Sequence, residues 1–505
     1  MKIEPRPAHI LKNAMVQNKP ISRLLRQLIF CLILPASYAS AVTTLDLPDI
    51  GESTGNILSP EYERRLGQAF LNQIRRQTDI IADPEIETYI QSIGYRLVAQ
   101  SDNSSQLFTF FVVNDNGINA FAAPGGIVGI NTGTIISSET ESELAGVIAH
   151  EIAHVTQRHM ARSAEMSQKM SIPMMAAMLG AILIASQNPD AGTAAMAAIQ
   201  GGVMQAQINF TRGNEEEADR IGMQLLERAE FNPYGMPAFF TKLQRNSVYA
   251  AQAPEFLRTH PLTVNRISDT QARAEALPKD KPYNESKTYQ FIRTKLLVKS
   301  HKSPADAVKH YESVLAEGEF RDDIVPIKYG LALAHLENKD YVQAAALLDE
   351  LIAKDRENLS LQLARADVEV RQARYDAATT IYADMLNIYP DYRPLILSYA
   401  NTLLTAKRPA EAKTVLENYG KYNTPDITYY NYLTRAEAEA GNPIEAGMAN
   451  AEYYFLTGET RVAIEQLKSL LRAQPKPDYY QEERILSRIS QLEQELKMER
   501  DLNLG

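Results

Sequence analysis

Apolar positions along the chain change their spacing from region to region, and each change marks a different kind of structure. Between Glu61 and Gln100 the period is helical. Tyr62, Leu66, Phe70 and Ile74 recur every fourth residue, and Asp83-Pro84 opens a second helix carrying Ile86, Tyr89, Ile90, Ile93 and Leu97. Leu107 to Val113 is rich in residues that favour extended backbone and predicts a strand, closed by the turn Asn114-Asp115-Asn116-Gly117. Ala120 to Ile130 reads as two short extended pieces pivoting on Pro124-Gly125-Gly126, and a long helix is expected from Ser142 to Ala164. Together these elements predict a small α+β domain.

Residues 165–207 differ. Eight of the fifteen methionines fall between Met160 and Met204, among Ala and Gly, and the apolar run from Ile172 to Ala185 is too short to span a membrane. A buried helical hairpin is one reading. A mobile, Met-rich cover over a binding cleft is the other, because Met adapts its shape to varied partners.

After the polar stretch Pro278-Lys279-Asp280-Lys281-Pro282 the pattern is helix after helix, and it repeats. Ala344, Ala378, Ala412 and Ala446 stand 34 residues apart, and Tyr341, Tyr375, Pro409 and Pro443 keep the same period three residues earlier. A period of 34 with a small residue where helices cross is the tetratricopeptide signature, so an α-α superhelix with an open concave face is expected. The expected organisation is a leader over 1–41, an α+β domain over 42–277, a linker over 278–290 and repeats over 291–495. The fold class is therefore mainly α, with one small sheet.

Composition narrows the function. At 505 residues the chain is too long for one core, and 45% hydrophobic with 23% charged residues is ordinary for a globular protein. A formal charge of −10 disfavours nucleic acid as a partner. Lys12, Lys19, Arg23 and Arg26 precede the apolar run Leu28 to Leu34, and Ala39-Ser40-Ala41 follows at the spacing of a signal-peptidase site. The pattern predicts a cleaved secretory signal, with translation starting at Met1 or Met15, and a mature chain without a membrane span. The lone cysteine, Cys31, lies inside that leader, so no disulfide is expected.

The chemistry centres on His150-Glu151-Ile152-Ala153-His154. On a helix, residues four apart share a face, so the two imidazoles can converge on one metal ion. Glu151 is then placed to take a proton from a water at the open coordination position. A third ligand is required. His159, five residues on, falls off the ligand face of a continuous helix and reads as a solvated helix-end residue. Asn214-Glu215-Glu216-Glu217-Ala218-Asp219 offers a carboxylate instead. A run of three Glu is commonly a solvated face, but this one continues into a helix with a buried side. Glu215 and Asp219 share one face of it, Glu215 as a ligand and Asp219 as the group that orients a ligand imidazole.

His150-Glu151-Ile152-Ala153-His154 with the downstream Glu-x-x-Ala-Asp resembles the HtpX-type gluzincin peptidases. The segments Asn119 to Gly126, Asn131-Thr132-Gly133, Thr259-His260-Pro261 and Arg266-Ile267 resemble the same family. The resemblance implies one zinc ion on His150, His154 and Glu215, with Glu151 as general base and Asp219 behind the ligands. It implies a substrate strand pairing along residues 121–130. It places His260 near the metal, capping it or stabilising the tetrahedral intermediate, and Arg266 on an oxyanion or a neighbouring carboxylate. It also implies a periplasmic endopeptidase that assists outer-membrane β-barrel assembly, degrades misassembled barrels and meets the assembly machinery through its repeats. A chaperone or scaffold with a retired metal site is the competing expectation.

Overall fold

Ser59-Pro60, Asp83-Pro84 and Ser303-Pro304 each start a helix for the same reason. The short polar side chain accepts a hydrogen bond from a backbone N–H of the first turn, and the proline supplies a preset φ where no N–H is needed. The computed structural model describes residues 59–501, apart from 188, 250–253, 278–282, 284 and 319–323. The expected leader, with Cys31 and both candidate starts, lies outside the described residues, as does the polar stretch 278–282. Helices α1 (Pro60–Gln77) and α2 (Pro84–Val98) lead into strands β1 (Thr109–Val113), β2 (Ala120–Ala123) and β3 (Ile127–Asn131). Next come α3 (Thr132–Ser137), α4 (Glu141–Thr156), α5 (His159–Gln187) and α6 (Pro189–Arg228). Helices α7 (Gly235–Tyr249), α8 (Glu255–Thr259), α9 (Val264–Ala276) and α10 (Lys287–Ser300) follow.

The sheet has the order β1-β3-β2, with β1 parallel and β2 antiparallel to β3. Every residue of β3 is buried, as expected for a central strand. The expected pairing edge therefore shrinks: residues 127–130 are already paired on both sides, and only β2 presents an edge. Gly125 and Gly126 make the turn between them with φ of 76° and 81°, a region that favours glycine. Ile86, Ile90, Ile93 and Leu97 on one face of α2 join Val112, Val128 and Ile130 in a core with Leu144, Ile148 and Ile152 of α4.

The helix expected from Ser142 to Ala164 is two helices. Arg158 adopts φ 52°, a left-handed conformation that ends α4 and lets the chain restart at His159. The stretch 165–207 does form a helical hairpin, α5 packing along α6, but it is not a buried one. Met175 and Met204 are 61% and 65% exposed. Among the described residues no helix is long and apolar enough to cross a membrane.

Beyond α10 the chain stacks α11 (Pro304–Glu317), α12 (Val325–Glu337), α13 (Tyr341–Ile352), α14 (Leu359–Arg371) and α15 (Tyr375–Ile388). The series continues with α16 (Arg393–Thr405), α17 (Pro409–Gly420), α18 (Ile427–Glu439), α19 (Pro443–Leu456), α20 (Thr460–Leu470) and α21 (Tyr479–Asp501). Tyr341, Tyr375, Pro409 and Pro443 open the second helix of successive hairpins, and the alanines three residues on are buried against the neighbouring helix. A second 34-residue period lies in the backbone. Lys339, Ala373, Lys407 and Gly441 all have positive φ, and each reverses the chain between the two helices of a hairpin.

The repeats dock on the α+β domain through α2 and α10. Tyr289, Ile292 and Leu296 of α10 belong to the core around the sheet, whereas Phe291 and Val298 belong to the first repeat core. Lys295 Nζ lies 2.7 Å from Asp83 Oδ2 and 2.9 Å from Glu85 Oε2. Arg393 Nη2 donates to Glu87 Oε2 at 2.8 Å while its Nε donates to Asp426 Oδ2 at 2.6 Å. At the far end Arg75 Nη1 donates to the Leu456 carbonyl at 3.0 Å.

Candidate metal centre

Four elements place the site. α4 presents His150 and His154 one turn apart, and α6 presents Glu215 and Asp219 one turn apart. Small residues let these helices meet closely: Ala218 is fully buried, and a Cβ on Gly222 would stand 3.2 Å from the His150 backbone nitrogen. His260 caps α8, held by a bond from its N–H to the Phe256 carbonyl at 2.8 Å. Arg266 enters from the first turn of α9.

The donor atoms converge. His150 Nε2 is 3.0 Å from His154 Nε2, 3.3 Å from His260 Nδ1 and 3.4 Å from Glu215 Oε2. Glu215 Oε1 lies 3.4 Å from His154 Nε2 and 3.1 Å from His260 Nδ1. One atom from each of the four residues falls within 4.8 Å of all the others, close enough to hold a metal ion. Glu151 is fully buried beside them, with His260 Nε2 3.5 Å from its Oε1. Neither carboxylate oxygen of Glu151 has a hydrogen-bond partner. A buried carboxylate without partners is costly unless a further polar group meets it, and an ion with its water fits that need.

Behind the donors, Asp219 Oδ1 stands 3.0 Å from His150 Nδ1, close but off the line of a good hydrogen bond. Arg266 grips Asp219 with two bonds of 2.7 Å and reaches Glu215 Oε2 at 2.8 Å. Of its two expected roles the geometry has it on carboxylates. His159 departs from expectation: it is buried, with Nδ1 2.8 Å from His154 Nδ1. A continuous helix would have carried it away from the site, but the break at Arg158 turns it back. A positive φ at an arginine leaves no mark in the sequence, so spacing alone could not find it.

A profile of Peptidase family M48 matches residues 84–274, and a tetratricopeptide repeat profile matches residues 369–436. A putative beta-barrel assembly-enhancing protease of Vibrio cholerae is 36% identical over 445 residues, covering 86% of this chain and 91% of that one. The beta-barrel assembly-enhancing proteases of Yersinia pestis and Escherichia coli are 35% and 34% identical, covering 88% and 94% of this chain and 91% and 96% of theirs. The chain belongs to peptidase family M48. It joins an M48 metallopeptidase domain to tetratricopeptide repeats.

The electrostatics of the M48 site suit metal ligands. Burial opposes a charge on His150, yet the carboxylates of Asp219 and Glu215 outweigh it and raise the imidazole to about 9. His154 moves the other way, down to about 3, because burial dominates and its neighbours His150 and His260 add like charge. Burial would raise Glu215, but bonds from His150, His154 and His260 hold it far below the usual carboxylate range. The acid is therefore ionised and the second imidazole neutral, the states a metal needs, whereas His150 must give up a proton to bind one. In front of the M48 donors lies a cleft of about 210 Å³ lined by Phe121, Ala122 and Ala123 of β2 with Glu151, His154 and His260. Met160, at the base of the α5 hairpin, lines it too.

Proposed function

We propose that this chain is a zinc endopeptidase of the periplasm that cleaves unfolded or misassembled outer-membrane β-barrel proteins. His150, His154 and Glu215 hold one zinc ion, and the catalytic unit spans 42–277, joined through 278–290 to repeats over 291–495. The observation that carries this reading is the partnerless, buried Glu151 carboxylate beside the converging donors. The donor set of two imidazoles and a carboxylate suits zinc.

Bound zinc supplies Lewis-acid polarisation of the scissile carbonyl and acidifies the attacking water. Glu151 accepts the proton from that water and returns it to the leaving amine. The β2 edge adds the substrate as a further strand, so backbone hydrogen bonds bind it with little demand on side chains. Asp219, fixed by Arg266, orients His150. His260 Nδ1 shares the donor cluster, so His260 caps the resting site and must swing away for substrate to reach the ion. The exposed α5–α6 hairpin gates the same cleft through Met160.

The substrate assignment rests on the relatives named beta-barrel assembly-enhancing protease, which match nearly end to end. The repeats then dock the enzyme on the barrel-assembly machinery, and residues 1–41 are its export signal.

The test is zinc content and cleavage of an unfolded β-barrel protein by the mature chain, beside Glu151→Gln and His260→Ala. One zinc throughout, cleavage abolished in Glu151→Gln and faster in His260→Ala, is the expected result. Zinc without cleavage in the wild type and in His260→Ala would instead identify a scaffold with a retired site.

A further inference from the structure

His154 and His150 are supported from behind by different chemistry. His150 Nδ1 faces a carboxylate, Asp219, at 3.0 Å. His154 Nδ1 faces another imidazole, His159 Nδ1, at 2.8 Å. His159 Nε2 in turn faces Glu217 Oε2 at 3.3 Å, and Arg162 Nη1 fixes that carboxylate at 2.8 Å. Asn214, at the other end of the same turn of α6, receives Arg162 Nη2 at 3.4 Å.

The polarity of this row is determined. If His154 Nε2 offers its lone pair to a metal, its proton sits on Nδ1 and must be donated. His159 Nδ1 is the only atom placed to accept it among the described contacts of that nitrogen. The His159 proton is then on Nε2, where Glu217 accepts it. Reversing any one proton would set two donors or two acceptors face to face. We propose that His159 is a positioning residue that fixes the metal-binding tautomer and ring angle of His154, with Glu217 and Arg162 anchoring it in turn. This rests on the zinc-site reading above.

The two supports differ in consequence. Asp219 is buried and fixed by Arg266, whereas Glu217 is partly exposed at the surface of α6. The His154 side of the site is thus the one that solvent and the hairpin base can reach.

Three substitutions separate positioning from packing. His159→Asn keeps an acceptor near the place of Nδ1, His159→Leu keeps bulk without an acceptor, and His159→Ala keeps neither. The measurement is zinc affinity of the full mature chain by competition with a chromophoric chelator, with thermal unfolding of the metal-free proteins alongside. Loss of such a support weakens metal affinity by about 10–100-fold. That loss is expected for His159→Leu and His159→Ala, with most of the affinity recovered in His159→Asn. Nitrogen-15 spectra of the zinc-loaded wild type should show the His154 proton on Nδ1. Equal affinity in Leu and Asn variants, or losses that follow only the metal-free melting temperature, would overturn the assignment. A wild type that binds no zinc would overturn the site reading instead, whatever the variants do.

Discussion

Arg266 and Asp219 form a two-bond fork, Nε to Oδ2 and Nη2 to Oδ1, both at 2.7 Å, in a place where each side chain is almost fully buried. Neither charge would be tolerable there alone, because removing an ion from water without a partner costs several kcal/mol. The fork fixes the carboxylate that faces His150, and the third guanidinium nitrogen reaches Glu215. One arginine from α9 therefore ties together the two acids that α6 contributes.

Removing that arginine strips the buried Asp219 of its two-bond partner and takes one of several partners from Glu215. Arg266→Ala is expected to destabilise the metal-free chain by about 3–5 kcal/mol and to weaken zinc binding by about 10–100-fold through loss of orientation at His150. Arg266→Lys should recover little of either, since an ammonium cannot make the planar fork. Thermal melts and chelator competition on the same three proteins check both effects.

His150 sets a pH dependence that metal should erase. Its imidazole is raised from 6.5 to about 9 in the metal-free chain, where burial is outweighed by Asp219 and Glu215. A group raised on folding adds stability that is fully present below its unfolded value and is lost as pH rises through its folded value. The melting temperature of the chelator-treated protein should therefore fall between about pH 6.5 and pH 9. The zinc-loaded protein should lack that fall, and binding zinc at neutral pH should release about one proton. Calorimetric titration in two buffers of different ionisation enthalpy counts the proton directly.

The turns of the repeats offer a stabilising change. Ala373 is exposed at φ 56°, a conformation that costs an L residue roughly 1–2 kcal/mol. Glycine removes the strain but adds unfolded-state freedom worth about 0.4–1 kcal/mol. Ala373→Gly is expected to raise stability by roughly 0.5–1 kcal/mol, the difference of those terms. Gly441, at the equivalent turn, already has the residue this argument favours. Urea unfolding of the two proteins measures the gain.

Which parts of this architecture could be read from the sequence depended on how local their cause was. His150 and His154 were legible because i and i+4 meet on any helix, and the buried alanines because a crossing that admits only a small side chain repeats every 34 residues. Glu215 was legible through its spacing to Asp219 along one buried face. His159 was not, because its position depends on the backbone at Arg158. The exposure of the α5–α6 hairpin was hidden as well, since Ala and Met suit a buried helix and an exposed one equally. The positive φ at Lys339, Ala373 and Lys407 has no mark in the sequence, because only Gly441 among the four turns carries a glycine.

The edge strand and the metal can be uncoupled at Gly67. A Cβ there would stand 1.9 Å from the Pro124 carbonyl oxygen, and that atom belongs to backbone that cannot rotate aside. Pro124 begins the turn joining β2 to β3, so α1 braces the cleft from behind while Arg75 ties α1 to the end of α19. Gly67→Ala must push α1 outward or shift the turn, at a cost of about 1–3 kcal/mol typical of overpacking. The donors sit on α4 and α6, and the tie of α1 to that side is the pair of Glu63 with Arg158, just past α4, at 3.2 Å. The expected outcome is a full zinc complement with much reduced cleavage and a raised KM, because the strand that receives substrate is displaced. Loss of zinc in step with cleavage would mean instead that the sheet and the metal centre move as one body, and that β2 is not a separate element of substrate binding.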